Sequence, residues 1–124
     1  KGPIWDFDLS FGNTDYADSE YRDGWWVKYN PWYARLCQDP EFVELVKARF
    51  AYYRENQQII LDKVDDFAEQ LTYAQEENNE KWETFGQYVW PNPVVYDTHQ
   101  EEVDHLKTWY IERMDWLENA FNDL

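Results

Sequence analysis

The chain has 124 residues, carries a formal net charge of −15 and is 20% aromatic. A pI near 4.3 argues against binding to nucleic acid or to an anionic membrane surface, because both require clustered Lys and Arg side chains. No apolar run reaches the roughly 20 residues that a transmembrane helix needs, and a single cysteine, Cys37, excludes an internal disulfide and a cysteine-based zinc cluster.

The first 30 residues show no sustained helical period and predict an irregular segment. Residues 4–9 alternate apolar and charged side chains, which favours a short strand with the apolar side packed inward. Residues 25–29 form a second extended or strand-like aromatic run. A turn is predicted between the two runs at Gly12-Asn13.

Helix signals begin at residue 30. Asn30-Pro31 and Asp39-Pro40 each place a capping side chain before a proline at the first helical position. After the second pair, apolar residues recur at steps of three and four, which predicts an amphipathic helix. Its stripe consists of Phe42, Val46, Phe50 and Tyr53.

Two longer helices are predicted behind this one. The first runs from about residue 57 to residue 85 and ends at Gly86, a residue type that stops helices. Its stripe, at steps of three and four, consists of Ile60, Val64, Phe67, Leu71, Ala74, Asn78, Trp82 and Phe85. The second runs from about 98 to 122, and Thr98 with Glu101 fits a capping box at its start. Short connections between such helices predict a mainly α fold, an antiparallel three- to four-helix bundle that the irregular segment covers. We interpret the apolar stripes as core rather than as the lining of a ligand groove.

Two arginines lie within the predicted apolar stripes, Arg49 and Arg113. A guanidinium at such a position is either paired or extends to the surface. We expect at least one of the two to form a structural ion pair that ties a helix to the irregular segment. The candidate partners are Asp6, Asp8 and Asp15.

The candidate for chemistry is the carboxylate pair Asp6 and Asp8. On an extended segment, side chains two residues apart project to the same side, and two carboxylates suit Mg²⁺, Mn²⁺ or Ca²⁺. Ser10 and Asn13 are candidate supporting ligands, and Gly12 lets the backbone turn sharply. Aspartates before a turn also commonly only cap it, so these residues alone leave a structural role open.

Other kinds of site are not predicted. His99 and His105 lie six residues apart, which does not place them together on one helix face, and neither belongs to an H-E-x-x-H motif. No serine-hydrolase motif occurs, and the four glycines are isolated, so no glycine-rich phosphate loop is present in these 124 residues.

Several longer segments together resemble one known family. They are residues 2–13 (GPIWDFDLSFGN), 24–26 (GWW), 32–42 (WYARLCQDPEF), 79–82 (NEKW), 101–109 (EEVDHLKTW) and 112–117 (ERMDWL). In order and spacing they resemble the C-terminal part of the spore-coat protein H (CotH) kinase family, over nearly the whole chain. The resemblance implies part of the C-lobe of an atypical, kinase-like fold that phosphorylates Ser or Thr of a protein substrate with ATP.

The same resemblance implies a role for the W-D-F-D segment. It becomes the counterpart of the kinase D-F-G element, with Asp6 as the first choice and Asp8 as the second choice for the ligand of Mg²⁺ or Mn²⁺. Family tendency implies an extracytoplasmic, cell-surface or spore-associated location.

The resemblance also implies that the kinase is incomplete in this chain. In a kinase the nucleotide-covering loop, the phosphate-binding Lys and the catalytic-loop Asp precede the metal-binding Asp. We therefore expect one domain, with residues 1–30 packed on the helices of 31–124, that is a fragment of a longer protein and inactive alone. Its partner in cis would be the missing N-terminal kinase lobe, and apolar surface left uncovered would favour a dimer of the fragment.

The main alternative is a non-catalytic helical module of a secreted or surface protein. Such a module would bind a protein or glycan partner through exposed aromatic side chains outside the regular stripes. The candidates are Trp25, Trp26, Trp32, Tyr88 and Trp90.

Overall fold

Helices dominate the part of the chain that the computed structural model describes, residues 7–124. A 3₁₀ turn at Phe7–Leu9 is followed by α1 (Pro31–Leu36), α2 (Pro40–Glu55), α3 (Gln57–Gln70), α4 (Thr72–Trp82) and α5 (His99–Asn122). No strand forms within these residues, so the prediction of a mainly α fold is confirmed.

The predicted helix starts are confirmed by their hydrogen bonds. The side chains of Asn30 and Asp39 accept a hydrogen bond from the backbone N–H two residues further on, at 3.1 and 2.9 Å, and a proline follows each cap. At the start of α5, the Glu101 N–H donates to the Thr98 hydroxyl oxygen at 3.3 Å. That hydroxyl donates to the Glu101 carboxylate at 2.8 Å, so each residue satisfies a polar group of the other.

The long helix predicted over residues 57–85 is divided in two and ends early. Leu71 separates α3 from α4 without a side-chain cap. At the other end, Asn79 closes α4: its carbonyl accepts from the N–H of Glu83 at 2.8 Å, and its side chain accepts from the N–H of Phe85 at 3.0 Å. Glu83 takes the left-handed turn that ends the helix, with φ of 49°. The prediction of Gly86 as the stop is therefore wrong, because the chain leaves the helix at Glu83 and the Asn79 side chain accepts the N–H of Phe85 beyond that turn.

Helices α2 and α3 run alongside α5 in the opposite direction. In the middle of α2, the Lys47 ammonium lies 3.5 Å from the carbonyl oxygen of Asn122 at the end of α5. In α3, Asp65 accepts hydrogen bonds from Lys107, in the first half of α5, at 2.7 and 2.8 Å. Partners on α5 thus move backwards as the chain moves from α2 to α3, which confirms the antiparallel arrangement.

The core is the seam between α5 and the two helices that face it. Its buried apolar side chains, among the described residues, are Val43, Leu61, Val103, Trp109 and Met114. Other positions of the predicted stripes are 44% to 63% exposed: Tyr53, Ile60, Phe67, Leu71 and Trp82. The interpretation of the whole stripe as core is wrong at these positions, since α5 is a single helix and covers only part of a wide apolar face. No helix in the described residues combines the length and apolar character needed to cross a membrane.

The irregular segment is not extended where it is described. The carbonyl of Phe7 accepts both the backbone N–H and the hydroxyl of Ser10, at 3.1 and 2.5 Å, which closes a 3₁₀ turn. The strand prediction over residues 4–9 is therefore wrong for Phe7–Leu9, and residues 4–6 lie outside the described part. Residues 25–29 also bend rather than extend, with the N–H of Asn30 donating to the carbonyl of Val27 at 3.0 Å.

Candidate functional site

A cavity of about 430 Å³ brings the predicted site residues against α5. Residues 7–13 form one wall, the first two turns of α5 form another, and Asn92 lies at the third side. Asp8, Ser10 and Asn13 all line it. Asp6 lies outside the described residues, so its place relative to the cavity stays a prediction.

Residues 7–13 form a closely hydrogen-bonded loop in which Asp8 is fixed through its backbone. The Asn13 N–H donates to the carbonyl of Ser10 at 3.1 Å, and the Asn13 side-chain amide donates to the carbonyl of Asp8 at 2.8 Å. The Ser10 hydroxyl donates to the carbonyl of Phe7. The Ser10 hydroxyl and the Asn13 amide nitrogen therefore hold the loop together, while Asp8 is an exposed residue that lines the cavity.

Arg113 holds the later part of the irregular segment on α5. Its guanidinium donates to the carbonyls of Arg22 and Gly24, at 2.7 and 2.9 Å, and lies 4.7 Å from the centre of the Trp116 ring. Burial lowers the pKa of Arg113, and the charge of nearby Asp23 opposes that shift. The half-buried guanidinium is thus satisfied by two backbone carbonyls and an aromatic face.

Within residues 7–124 neither arginine forms the predicted ion pair, and Asp6, a candidate partner, lies outside the described residues. Arg113 bonds to carbonyls instead of to the carboxylate of Asp8 or Asp15. Arg49 is exposed and lies over the ring of Tyr52, 5.9 Å from its centre, without an ion pair to a described residue. A carbonyl does not have to be desolvated as an ion, which makes it the less costly partner for a half-buried guanidinium.

Glu102 is a cavity residue that the sequence did not single out. It lies on α5 opposite Asp8 and lines the same cavity as His99 and His105. Burial raises the pKa of Glu102, and the hydrogen bond from Asn92 acts in the opposite sense. No Lys or Arg is present among the described lining residues to neutralise the two carboxyl groups.

A regular spacing of three residues in the sequence could have indicated the side chains of α5 that line the cavity. His99, Glu102 and His105 follow each other at steps of three residues, and neighbours at that spacing lie on adjoining parts of a helix surface. Six residues at 3.6 per turn place the two histidines about 120° apart around the helix, and both nevertheless line this cavity, on either side of Glu102. Burial and the charge of Arg22 lower the pKa of His105, so the neutral imidazole is favoured there.

The cavity suits a hard cation by donor type but does not form a complete metal centre by itself. Carboxylate and amide oxygens are the ligands that Mg²⁺ takes in proteins, and Asp8, Glu102 and Asn13 supply them on its walls. Among residues 7–124, however, no group of three or more His, Cys, Asp or Glu side chains is placed to hold a metal ion.

Comparison with known proteins adds one match. The family model described as CotH kinase protein matches residues 2–117, which include all the residues that line the cavity. No curated protein and no solved structure matches the chain.

Proposed function

Since the chain belongs to the CotH kinase protein family, we propose that it is the part of an atypical protein kinase that binds the divalent cation of the ATP site. In this proposal Asp6 and Asp8 bind Mg²⁺ or Mn²⁺, as the D-F-G Asp does in other kinases. The observation that carries it is the place of Asp8, which lines a cavity with no Lys or Arg among its described lining residues, inside the family-matched region.

Four of the described cavity residues have a role in this proposal. The bound cation supplies charge neutralisation to the phosphates when the γ-phosphoryl group moves to a Ser or Thr of a protein substrate. Asp8 binds it, and Glu102 adds negative charge from the opposite wall. Ser10 and Asn13 hold the loop that carries Asp8, through the bonds to the Phe7 and Asp8 carbonyls.

The rest of the catalytic machinery is not recognisable in these 124 residues. The four glycines are isolated, so no glycine-rich loop is present to cover a nucleotide, and no His-Arg-Asp sequence occurs. We propose that these elements belong to a kinase lobe in cis, and that this chain by itself transfers no phosphoryl group.

Two measurements on the chain test the proposal. The first is Mn²⁺ binding followed by paramagnetic broadening of amide NMR signals, which should affect residues 7–13 and weaken in Asp6→Asn and in Asp8→Asn. Glu76→Gln, which changes an exposed carboxylate on α4, is the matched control and should bind as the unsubstituted chain does. Unchanged binding in both aspartate variants would remove the metal role.

The second measurement is phosphoryl transfer. The chain is incubated with ATP, Mg²⁺ and a generic protein substrate, and no transfer above the protein-free rate is expected. Turnover by the chain alone would show that the proposed division of the kinase between two parts is wrong.

A non-catalytic binding module is the second candidate, and ring exposure favours it at several positions. Trp32 is 81% exposed and Trp90 70%, and Trp26 and Tyr88 are also exposed. Trp25 is not available for this role, because it packs edge-on against two aromatic rings of α5 at 5.4 and 5.0 Å. Exposed rings of this kind stack on sugars or anchor protein partners.

Titration with soluble oligosaccharides, followed by tryptophan fluorescence, tests this second candidate. Binding that is lost in Trp32→Ala and retained in Asp8→Asn would support it. An unchanged fluorescence spectrum across the oligosaccharides would exclude a glycan partner of those classes.

A further inference from the structure

The loop beside Asp8 contains two successive residues in the left-handed region. Phe11 has φ of 56° and Gly12 has φ of 79°. The left-handed region is unfavourable for a residue with a side chain, because the Cβ atom approaches the following carbonyl oxygen. Such a conformation persists only where surrounding contacts hold it.

Trp109, a buried residue of α5, makes those contacts. Its ring centre lies 5.8 Å from that of Phe11, which also lies 5.9 Å from that of Tyr110. The backbone of Gly12 rests directly on the indole, since a Cβ atom built at Gly12 would stand 2.3 Å from Nε1. The indole N–H itself donates to the carbonyl of Glu20 at 2.9 Å, which fixes the ring in this place.

We infer that Trp109 is a positioning residue for the proposed metal site. It holds the turn at Phe11-Gly12 in place. The next residue, Asn13, donates a hydrogen bond to the carbonyl of Asp8, so a fixed turn also fixes the backbone position of Asp8. Trp109 is not one of the residues that line the cavity, so it acts through the loop and not on the cation. The inference rests on the proposed function, because it requires Asp8 to bind a metal ion.

Two glycines provide a matched pair of variants. Gly12→Ala places a methyl group against the indole at a backbone with positive φ. Gly24→Ala also substitutes a glycine with positive φ, 93°, but its new Cβ atom would meet only an ordinary contact, 3.6 Å from the Trp26 ring. The backbone cost is therefore similar in both variants, and only Gly12→Ala disturbs the contact with Trp109.

Trp109→Phe is the second probe, and it keeps an aromatic ring in the core. It removes the indole N–H that donates to the carbonyl of Glu20. This variant decides the question if Gly12→Ala does not fold. Far-UV circular dichroism and the dispersion of the amide NMR spectrum show whether each variant keeps the native fold.

The measurement is the dissociation constant for Mn²⁺, obtained from the broadening of amide signals of residues 7–13. Signals from the acidic surface of α4 serve as an internal reference for non-specific binding. We expect the dissociation constant to rise about tenfold or more in Gly12→Ala and to change less than about twofold in Gly24→Ala, since residues behind metal ligands typically alter affinity by about 10–100-fold. Trp109→Phe should lie between these two.

The outcomes separate this inference from the proposed function. If Asp8→Asn weakens Mn²⁺ binding while Gly12→Ala and Trp109→Phe leave it unchanged in folded protein, the positioning role is overturned and the metal role stands. If Mn²⁺ does not broaden residues 7–13 of the unsubstituted chain, the proposed metal function is wrong, and the positioning role fails with it.

Discussion

Replacing Arg113 with methionine should destabilise this fold far more than the same change at Arg49. The half-buried Arg113 guanidinium donates to the carbonyls of Arg22 and Gly24, at 2.7 and 2.9 Å. Methionine keeps much of the side-chain length but has no donor. Arg113→Met therefore leaves both carbonyls without their partner at the point where the irregular segment meets α5.

The expected size follows from those two hydrogen bonds. A hydrogen bond from a charged donor contributes about 1.5–3 kcal/mol, and solvent recovers part of this at a half-buried site. We expect the free energy of unfolding to fall by about 2–3 kcal/mol, which for a domain of this length lowers Tm by roughly 6–15 °C. Arg49 is exposed, lies over the ring of Tyr52 and forms no ion pair with a described residue, so Arg49→Met should change stability by about 0.5 kcal/mol or less.

Urea unfolding followed by far-UV circular dichroism measures the difference. Arg113→Lys is an informative third variant, because a single ammonium cannot reproduce the two-pronged geometry of a guanidinium. It should fall between the unsubstituted chain and Arg113→Met. Equal losses for Arg113→Met and Arg49→Met would refute the argument that the two carbonyl bonds hold the segment on α5.

Three further predictions concern α5 and the exposed stripe. Thr98→Ala removes the side-chain cap of α5 and should lower the free energy of unfolding by about 1 kcal/mol in urea titrations; an unchanged midpoint would contradict a stabilising cap. Burial raises the pKa of Glu102 above its usual value of 4.5, so the folded state binds the carboxyl proton of Glu102 more tightly than the unfolded state does. The free energy of unfolding therefore decreases as pH rises through the pKa of Glu102 in the folded state. Thermal melts should therefore show Glu102→Gln to be more stable than the unsubstituted chain at neutral pH but not below pH 4.5, whereas Glu76→Gln should show no such crossover. The exposed stripe residues Tyr53, Ile60, Phe67, Leu71 and Trp82 should promote dimerisation, so the sedimentation coefficient should rise with protein concentration. Phe67→Gln should reduce that rise. The same concentration dependence in Phe67→Gln and in the unsubstituted chain would exclude Phe67 from the dimer contact.

The sequence by itself determined the features that depend on near neighbours. The starts of α1, α2 and α5 were predictable at Asn30, Asp39 and Thr98, because a capping side chain bonds to a backbone N–H two or three residues away. The family was also recognisable, since it depends on the order of short motifs along the chain and not on their contacts. The acidic character follows from composition alone.

Local signals were insufficient where two of them competed. Gly86 is a reasonable helix stop, but the chain already leaves the helix at Glu83, where the Asn79 side chain accepts the N–H of Phe85. The alternation over residues 4–9 suited a strand, but the Ser10 hydroxyl closes a turn on the carbonyl of Phe7. Each outcome depends on a side-chain bond to the backbone, whose strength periodicity does not measure.

Only the tertiary structure decided which groups far apart in the chain meet. The partner of Arg113 is a carbonyl 91 residues away, and a carbonyl carries no sequence signature, since every residue has one. The cavity pairs Asp8 with Glu102 for the same kind of reason: residues 7–13 fold onto α5 through Gly12 and Trp109, a contact set by shape. Whether a stripe residue such as Phe67 is covered depends on how many helices pack beside it, and α5 leaves it exposed.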